Sequence, residues 1–299
     1  MATETEEQIQ LPSVGNQPPL ANLRAIKMVL FDLDGTLHDD PRVTDRYASI
    51  LEDIIPDGGG QGLRTEAAAV AAGEHPALKP GLFAEPYRGI VVHAPEWTSE
   101  SATDWEGHPV PVPDDLRGRV GHDGPLRYLG DSWQIIGTLA ASRGADQRIQ
   151  AEAFASARRF VNDHATSLIR SEHLDEVLDR LAPGRHLVLA TNTPEQLARP
   201  LVDRLALRPP FAIVRFDARK PKGCAQLIVQ ARRAWGTHPA EVLVVGDNLW
   251  NDLLPPAGQG CRTVHIDPLG TDSDGRWSSA RYDNFAAFAA ALREIPDEA

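Results

Sequence analysis

The chain has 299 residues, 42% of them hydrophobic and 24% charged, which fits an ordinary globular protein of one large or two modest domains. Thirty Lys and Arg against 42 Asp and Glu give a formal net charge of −12, which argues against a general nucleic-acid or anionic-membrane binder because phosphate backbones require clustered cations. No run of 18 or more apolar residues reads as a membrane span, and the acidic, polar start is unlike a signal peptide, so the expected location is cytoplasmic.

In chain order, residues 1–24 are rich in Glu, Gln and Pro without periodicity and read as a disordered tail. Order is expected from about Ala25. IKMVLFDLD is a short apolar run ending in Asp-Gly, the pattern of a buried strand and a turn. The next comparable run, HLVLATN at 186–192, lies about 150 residues further on, too far for a loop, so residues 42–183 read as an inserted domain. Within it, Val43–Ile55 and Asp146–Leu168 carry apolar residues at helical spacing, and Asp131–Ala141 and Ser171–Leu181 are further helix candidates. Residues 73–126, rich in Gly, Pro, His and Trp, suggest only short strands such as RGIVV. Beyond 186–192, FAIVRF (211–216), EVLVVGD (241–247) and the weaker RTVHI (262–266) read as strands, with helices over Pro194–Leu205 and Gly223–Trp235. Near-continuous apolar strands alternating with helices predict an α/β fold, a parallel sheet covered on both faces that binds ligands at its strand C-termini. Cys224 and Cys261 are expected as reduced, packed thiols, and no Cys/His cluster suggests zinc.

Four short motifs stand at predicted strand ends. Asp32-Leu33-Asp34-Gly35-Thr36 sets two carboxylates two residues apart. In a regular strand they would share a face and repel, a crowding that a hard cation such as Mg²⁺ relieves. Gly246-Asp247-Asn248-Leu249-Trp250-Asn251-Asp252 offers Asp247 and Asp252 to complete a metal site with Asp32. Thr191-Asn192 brings a hydroxyl and a backbone N–H suited to a phosphate oxygen. Lys220-Pro221 brings one ammonium to offset anionic charge. Each has an ordinary reading alone: a solvated Asp-Gly turn, a polar loop opening a helix, an N-cap, a surface lysine. Their order, each behind a strand, directs all four to one sheet edge.

With these motifs in this order the chain resembles the haloacid dehalogenase-like (HAD) phosphohydrolase superfamily, over residues 25–41 and 184–270. AGQGCRTVHI is similar to the family's last helix end and core strand. The resemblance implies a Rossmann-like parallel-sheet core, residues 25–41 and 184–299, with a large, mostly helical cap of residues 42–183 inserted after the first strand, as in the C1-capped branch. It implies a Mg²⁺-dependent phosphatase acting on a small phosphate monoester. Asp32 would form an aspartyl-phosphate, and Asp34 would be acid and base with its backbone carbonyl on Mg²⁺. Asp247 would be a direct metal ligand, and Asp252 a ligand through water or an orienter of Lys220. Thr191, Asn192 and Lys220 would bind phosphate. An Asp at position 34 favours phosphate-ester hydrolysis over dehalogenation. A phosphomutase or a non-catalytic HAD-derived binding protein is the alternative. The family's frequent Lys-Pro-x-Pro reads Lys220-Pro221-Lys222-Gly223, which leaves Lys222 as a competitor for the lysine role.

The residues fit that chemistry. Asp32 is ionised at neutral pH and needs no base to act as a nucleophile. Two like charges about 4 Å apart cost roughly 4 kcal/mol at an effective dielectric of 20, a repulsion that Mg²⁺ and Lys220 would offset. Neighbouring carboxylates are expected to weaken the acidity of Asp34. In the insert, the aromatic residues are expected to build a cap core, and Arg127, near Tyr128 and Asp131, is the candidate specificity contact. His38 reads as a linker residue, and His75 and His122 as solvated loop histidines. The expected partner is a small phosphorylated metabolite, with no nucleic acid and no membrane, for a monomer or homodimer.

Overall fold

The computed structural model describes residues 20, 23–121, 123–164, 169–272 and 274–296. His122, the last four residues of the helix expected over Asp146–Leu168, and most of the 1–24 segment lie outside them. Leu20 and Leu23, within that segment, are buried in the core.

The first strand, β1 (Met28–Phe31), is buried throughout. The chain turns into α1 (Pro41–Ile54), whose start is set by Asp40, its carboxylate accepting from the Arg42 backbone N–H at 3.0 Å, and by Pro41 in the first turn. After α2 (Leu63–Ala71) come seven short strands: β2 (Phe83–Glu85), β3 (Ile90–His93), β4 (Thr98–Ser99), β5 (Ser101–Asp104), β6 (Pro109–Val110), β7 (Gly118–Arg119) and β8 (Arg127–Tyr128). The first six lie in the stretch 73–126 that periodicity left open, and β8 directly follows it; all are too short for an alternating pattern to declare itself. Helices α3 (Ser132–Ser142), α4 (Gln147–His164) and α5 (Leu174–Leu181) follow. Then β9 (His186–Ala190), α6 (Glu195–Leu205), β10 (Ile213–Arg215), α7 (Lys222–Trp235), β11 (Val242–Gly246), α8 (Leu254–Gly258) and β12 (Arg262–Ile266) alternate as expected. An added strand β13 (Ala280–Tyr282) and helix α9 (Phe285–Glu294) close the described chain.

Six strands form a parallel sheet in the order β10-β9-β1-β11-β12-β13. Phe31 pairs in register with Leu189 on one side and Val245 on the other, so the residues just past these strands reach the same edge together. Side chains alternate across the sheet. Val29, Phe31, Leu187, Leu189, Leu243 and Val245 face α5, α6 and α9. Met28, Leu30, Val188, Val242 and Val244 face α7 and, unusually, part of the insert.

That part is a five-stranded antiparallel sheet, β6-β5-β3-β2-β8, and it too alternates. Phe83 and Val92 join the core side, while Ala84 and Val91 pack with α1, α2, α3 and α4. The inserted sheet is therefore a middle layer between the parallel sheet's cover and the helical part of the cap. Its attachment is aromatic: Trp97 lies 5.2 Å from Trp250 and 4.7 Å from Trp277, and Phe83 meets Trp250 edge-on at 5.0 Å, between ring centroids. Trp250 belongs to the acidic motif itself, so this packing ties the insert to the loop that carries Asp247 and Asp252. Cys224 and Cys261 are buried and free. No helix among the described residues is long and apolar enough to cross a membrane.

Trp97→Ala removes the ring at the centre of this cluster. It is expected to lower unfolding free energy by about 3–5 kcal/mol, the usual cost of a large aromatic-to-alanine cavity. Urea titration followed by circular dichroism checks this.

Candidate active site

The β1 edge delivers Asp32, whose backbone N–H donates to the Val245 carbonyl at 3.0 Å. Three residues later the chain bends: Gly35 has φ +85°, and a Cβ there would fall 2.1 Å from the Asp247 carboxylate, so glycine is required both by conformation and by space. The bend sends the two carboxylates of this motif to different partners. Asp32 Oδ1 meets Lys220 Nζ, and Asp34 Oδ2 meets the Arg158 guanidinium. The crowding expected for a straight strand is thereby avoided.

Lys220 is 5% exposed and also donates to Asp252 Oδ1 at 2.6 Å. Its loop is clamped to the β9 edge: the Ala218 N–H donates to the Thr191 carbonyl at 2.9 Å, and the Lys220 N–H to Asn192 Oδ1 at 2.6 Å. Helix α7 starts tightly over this loop, where a Cβ at Gly223 would meet the Ala218 carbonyl at 1.5 Å. Lys222 points elsewhere and pairs with Asp123 at 2.6 Å, so the structure puts Lys220 rather than Lys222 among the carboxylates. The Asp252 carboxylate also accepts from the Asn248 N–H at 3.1 Å, at the start of the turn Leu249–Leu253.

Asp32, Asp247 and Asp252 bring carboxylate oxygens within 4.8 Å of one another. Burial, followed by repulsion from Asp32, Asp131 and Asp252, pushes the Asp247 carboxyl well above its ordinary range. No described residue gives the Asp247 carboxylate a hydrogen bond or ion pair; only its backbone carbonyl is bonded, to His265 Nε2 at 3.1 Å. Burial also raises Asp32 to about 7, against the opposing pull of Lys220. Three hard oxygen donors, short of positive charge and without thiol or imidazole, suit Mg²⁺.

The Asp34 carboxylate lies outside this trio, and the metal contact expected of Asp34 is through its backbone carbonyl. Its expected weak acidity is corrected. Burial acts in that direction, but the Arg158 guanidinium and the His38 ring beside it hold its carboxyl well below the usual range. Its neighbours in sequence are carboxylates, whereas its decisive neighbour in space is a cation from α4. Asp34 also accepts from Thr193 Oγ1 at 3.0 Å, and His38 Nδ1 lies 3.6 Å from its other oxygen. Thr191 is buried, its hydroxyl accepting from the Thr193 N–H at 3.1 Å, and Asn192 is exposed and holds the Lys220 backbone. His38, read as a linker residue, is 3% exposed inside this group.

A cavity of about 230 Å³ opens between Asp34, Asp247, His38, Asp131, Trp133 and Arg158, where the core edge meets α1, α3 and α4. A shallower groove of about 630 Å³ near Arg185 and Arg208 lies at the opposite end of β9, away from the carboxylates. Arg127, the expected specificity contact, does not line the smaller cavity; its guanidinium donates to the Gly137 carbonyl at 2.9 Å inside the cap. Asp131 does line it and accepts from Asn248 Nδ2 at 2.5 Å, a direct cap-to-core bond. Arg158 was not legible beforehand, because a charged residue beside the apolar stripe of an amphipathic helix reads as a solvated flank.

A family model described as haloacid dehalogenase-like hydrolase matches residues 26–258. The chain belongs to this family. It is therefore an enzyme, a hydrolase of the HAD superfamily. No curated protein matches it significantly. Among solved structures, a predicted phosphoglycolate phosphatase from Haemophilus somnus aligns at 16% identity, covering 89% of this chain and 98% of that one, with a TM-score of 0.51. A Bacillus subtilis HAD-hydrolase, YfnB, bound to magnesium aligns at 14% identity over 90% of this chain and 99% of its own, TM-score 0.49. A 2-haloacid dehalogenase from Pseudomonas syringae aligns at 16% identity over 91% and 100%, TM-score 0.43. At 16% identity, the first of these shows a shared fold.

The charge shortage in this HAD hydrolase gives a signed prediction. Asp32 is raised above its unfolded value of 3.8 to about 7, so its contribution to stability is present below pH 4 and lost as pH rises through 7. Mg²⁺ is expected to raise the thermal midpoint more at pH 8 than at pH 5. Asp247→Asn is expected to raise the metal-free midpoint at pH 8 and to abolish the Mg²⁺ response. Calorimetry with and without Mg²⁺ at both pH values checks this.

Proposed function

We propose that this enzyme hydrolyses the phosphate monoester of a small metabolite, with Asp32 as nucleophile. The observation that carries the reading is the separation of Asp32 and Asp34. One carboxylate lies on Lys220 beside two further carboxylates, and the other faces the cavity on a separate set of partners. A second, separately held carboxylate is what ester hydrolysis asks for, since the leaving oxygen needs a proton and the attacking water must lose one.

Asp32 attacks phosphorus through a carboxylate oxygen, the ester P–O bond breaks, and the leaving oxygen takes a proton from Asp34. Water then attacks the aspartyl-phosphate and gives its proton back to Asp34, releasing inorganic phosphate and free Asp32. Lys220 holds Asp32 in line and offsets charge between it and Asp252. The Thr191 hydroxyl and the Asn192 amide receive phosphoryl oxygens, in a site that brings no nucleic acid or membrane surface into play. Asp32, Asp247 and Asp252 would hold Mg²⁺, which when bound supplies positive charge at the phosphoryl oxygens. In the free protein Asp34 is held ionised, the form of a base. Donating a proton to the leaving oxygen asks that its pairing with Arg158 loosen once substrate fills the cavity.

Phosphate release with Mg²⁺ across sugar phosphates, nucleotides and small phosphoacids is the direct test. Asp32→Asn is expected to remove all turnover; turnover that survives it overturns the reading. With p-nitrophenyl phosphate, whose phenolate leaves without a proton, Asp34→Asn is expected to give a burst of about one nitrophenolate per site. Steady turnover should then fall by about 10²–10⁴-fold, the usual worth of general acid–base catalysis. Isomerisation of a sugar phosphate without phosphate release would move the reading to a mutase.

A further inference from the structure

We propose that His265, a buried histidine of β12 that none of the four motifs contains, is a positioning residue for the metal site. Its imidazole holds the peptide that joins Asp247 to Asn248, and through that peptide two of the three carboxylates that would bind Mg²⁺. This inference rests on the metal reading above and names a residue that serves it.

The register of β11 and β12 ends at the pair Gly246–His265, just before the acidic loop begins. Val264 and Ile266 belong to the apolar core on one side of the sheet, so His265 between them points to the other face. It is wholly buried. Its Nε2 lies 3.1 Å from the Asp247 carbonyl oxygen. A carbonyl only accepts, so Nε2 carries the proton and donates it. The other end of the same peptide, the Asn248 N–H, donates to Asp252 Oδ2 at 3.1 Å. A peptide unit is planar and resists twisting. Gripping its oxygen and its N–H therefore fixes the plane, with the Asp247 Cα at one corner and the Asp252 carboxylate resting against the other side.

Asp247 depends on that grip. Its carboxylate has no hydrogen bond or ion pair from a described residue, and Asp32, Asp131 and Asp252 repel it. What keeps it within 4.8 Å of the oxygens of Asp32 and Asp252 is its backbone and the close approach of Gly35. A group that fixes the backbone is thus the means by which the trio is held ready for a cation.

His265 also carries a cost that an apolar residue would not. Its Nδ1 is buried without a hydrogen-bond partner, and Asp267 Oδ2 is 4.0 Å away, too far for a bond. The Asp267 carboxylate already accepts from the Thr271 N–H at 2.8 Å, Thr271 Oγ1 at 3.0 Å, the Asp272 N–H at 3.0 Å and Arg281 Nε at 2.8 Å. A buried polar atom left alone is unfavourable, and leucine or valine at position 265 would avoid it. The bond to the Asp247 carbonyl is what histidine supplies there and they do not.

The test reads Mg²⁺ binding in the absence of substrate, by isothermal titration of the full chain with MgCl₂ at pH 8. His265→Leu removes the donor at similar bulk and is expected to weaken binding by about 10–100-fold, the usual cost of removing a group that orients a metal ligand. His265→Gln places an amide nitrogen within reach of the Nε2 position and is expected to bind close to wild type. His265→Asn, whose amide reaches only as far as Nδ1, is expected to resemble His265→Leu. Val264→Ala, in the apolar core of the same strand, is expected to lower the thermal midpoint and leave Mg²⁺ affinity alone. Phosphate release should agree: in His265→Leu and His265→Asn the Mg²⁺ concentration for half-maximal turnover rises, while kcat at saturating Mg²⁺ returns close to that of wild type. Leu and Asn variants that melt earlier yet bind Mg²⁺ as tightly as wild type overturn the proposal. Val264→Ala binding as weakly as His265→Leu overturns it too, since general loosening of β12 would then suffice. Should His265→Leu fail to fold, the Gln and Asn variants decide, and equal affinities overturn the proposal. Wild type with no response to Mg²⁺ would end the metal reading and this inference together. Tight binding that ignores residue 265 would end this inference alone.

Discussion

A single buried ammonium, Lys220 Nζ, stands between the carboxylates of Asp32 and Asp252, residues that reach it from opposite halves of the chain. Removing such a cation from a buried site leaves uncompensated charge, which costs several kcal/mol in proteins generally. Much of the local backbone can be understood as serving that contact. The 217–221 loop is hydrogen-bonded to the β9 edge, Gly223 lets α7 start against that loop, and Gly35 makes room for Asp247 beside Asp32. Even so, one ammonium among three carboxylates leaves the group short of positive charge, and that shortage is the physical basis for expecting a hard divalent cation there.

The second organising feature is the layer that the insert contributes. A helical cap alone would touch the core through its linkers and its lower face. Here an antiparallel sheet lies between, apolar on both sides, with Phe83 and Val92 toward the core and Ala84 and Val91 toward the helices. Because Trp250 sits within the acidic loop, the aromatic packing that seats this layer also supports the backbone bearing Asp247 and Asp252. The Asp131–Asn248 hydrogen bond makes the same connection in polar form. Cap and metal-binding loop are therefore coupled by packing and by a hydrogen bond.

Asp34 shows how far tertiary partners can reverse an expectation drawn from neighbours in sequence. Beside other carboxylates it would be a weak acid; beside Arg158 and His38 it is ionised. The same pairing places a cation from the cap in the wall of the cavity.

The parallel sheet was legible because its strands are buried on both faces and so appear as uninterrupted apolar runs, separated by amphipathic helices of ordinary length. The motif residues were legible for a related reason: each follows its strand directly, and parallel pairing in register brings strand ends to one edge. The strands of residues 73–126 were not, since two to four residues carry no reliable period, and β13 and α9 lack the motif that would have drawn attention to them. Arg158 and His38 were hidden for another reason. A single charged side chain on a helix flank, or a histidine after a turn, has the same local signature whether it meets solvent or a buried carboxylate. Local pattern thus specified the sheet, its direction and the carboxylates at its edge, because those follow from periodicity and register. Which cation each carboxylate meets was decided only in three dimensions, where Asp32 and Lys220, 188 residues apart in the chain, come into contact.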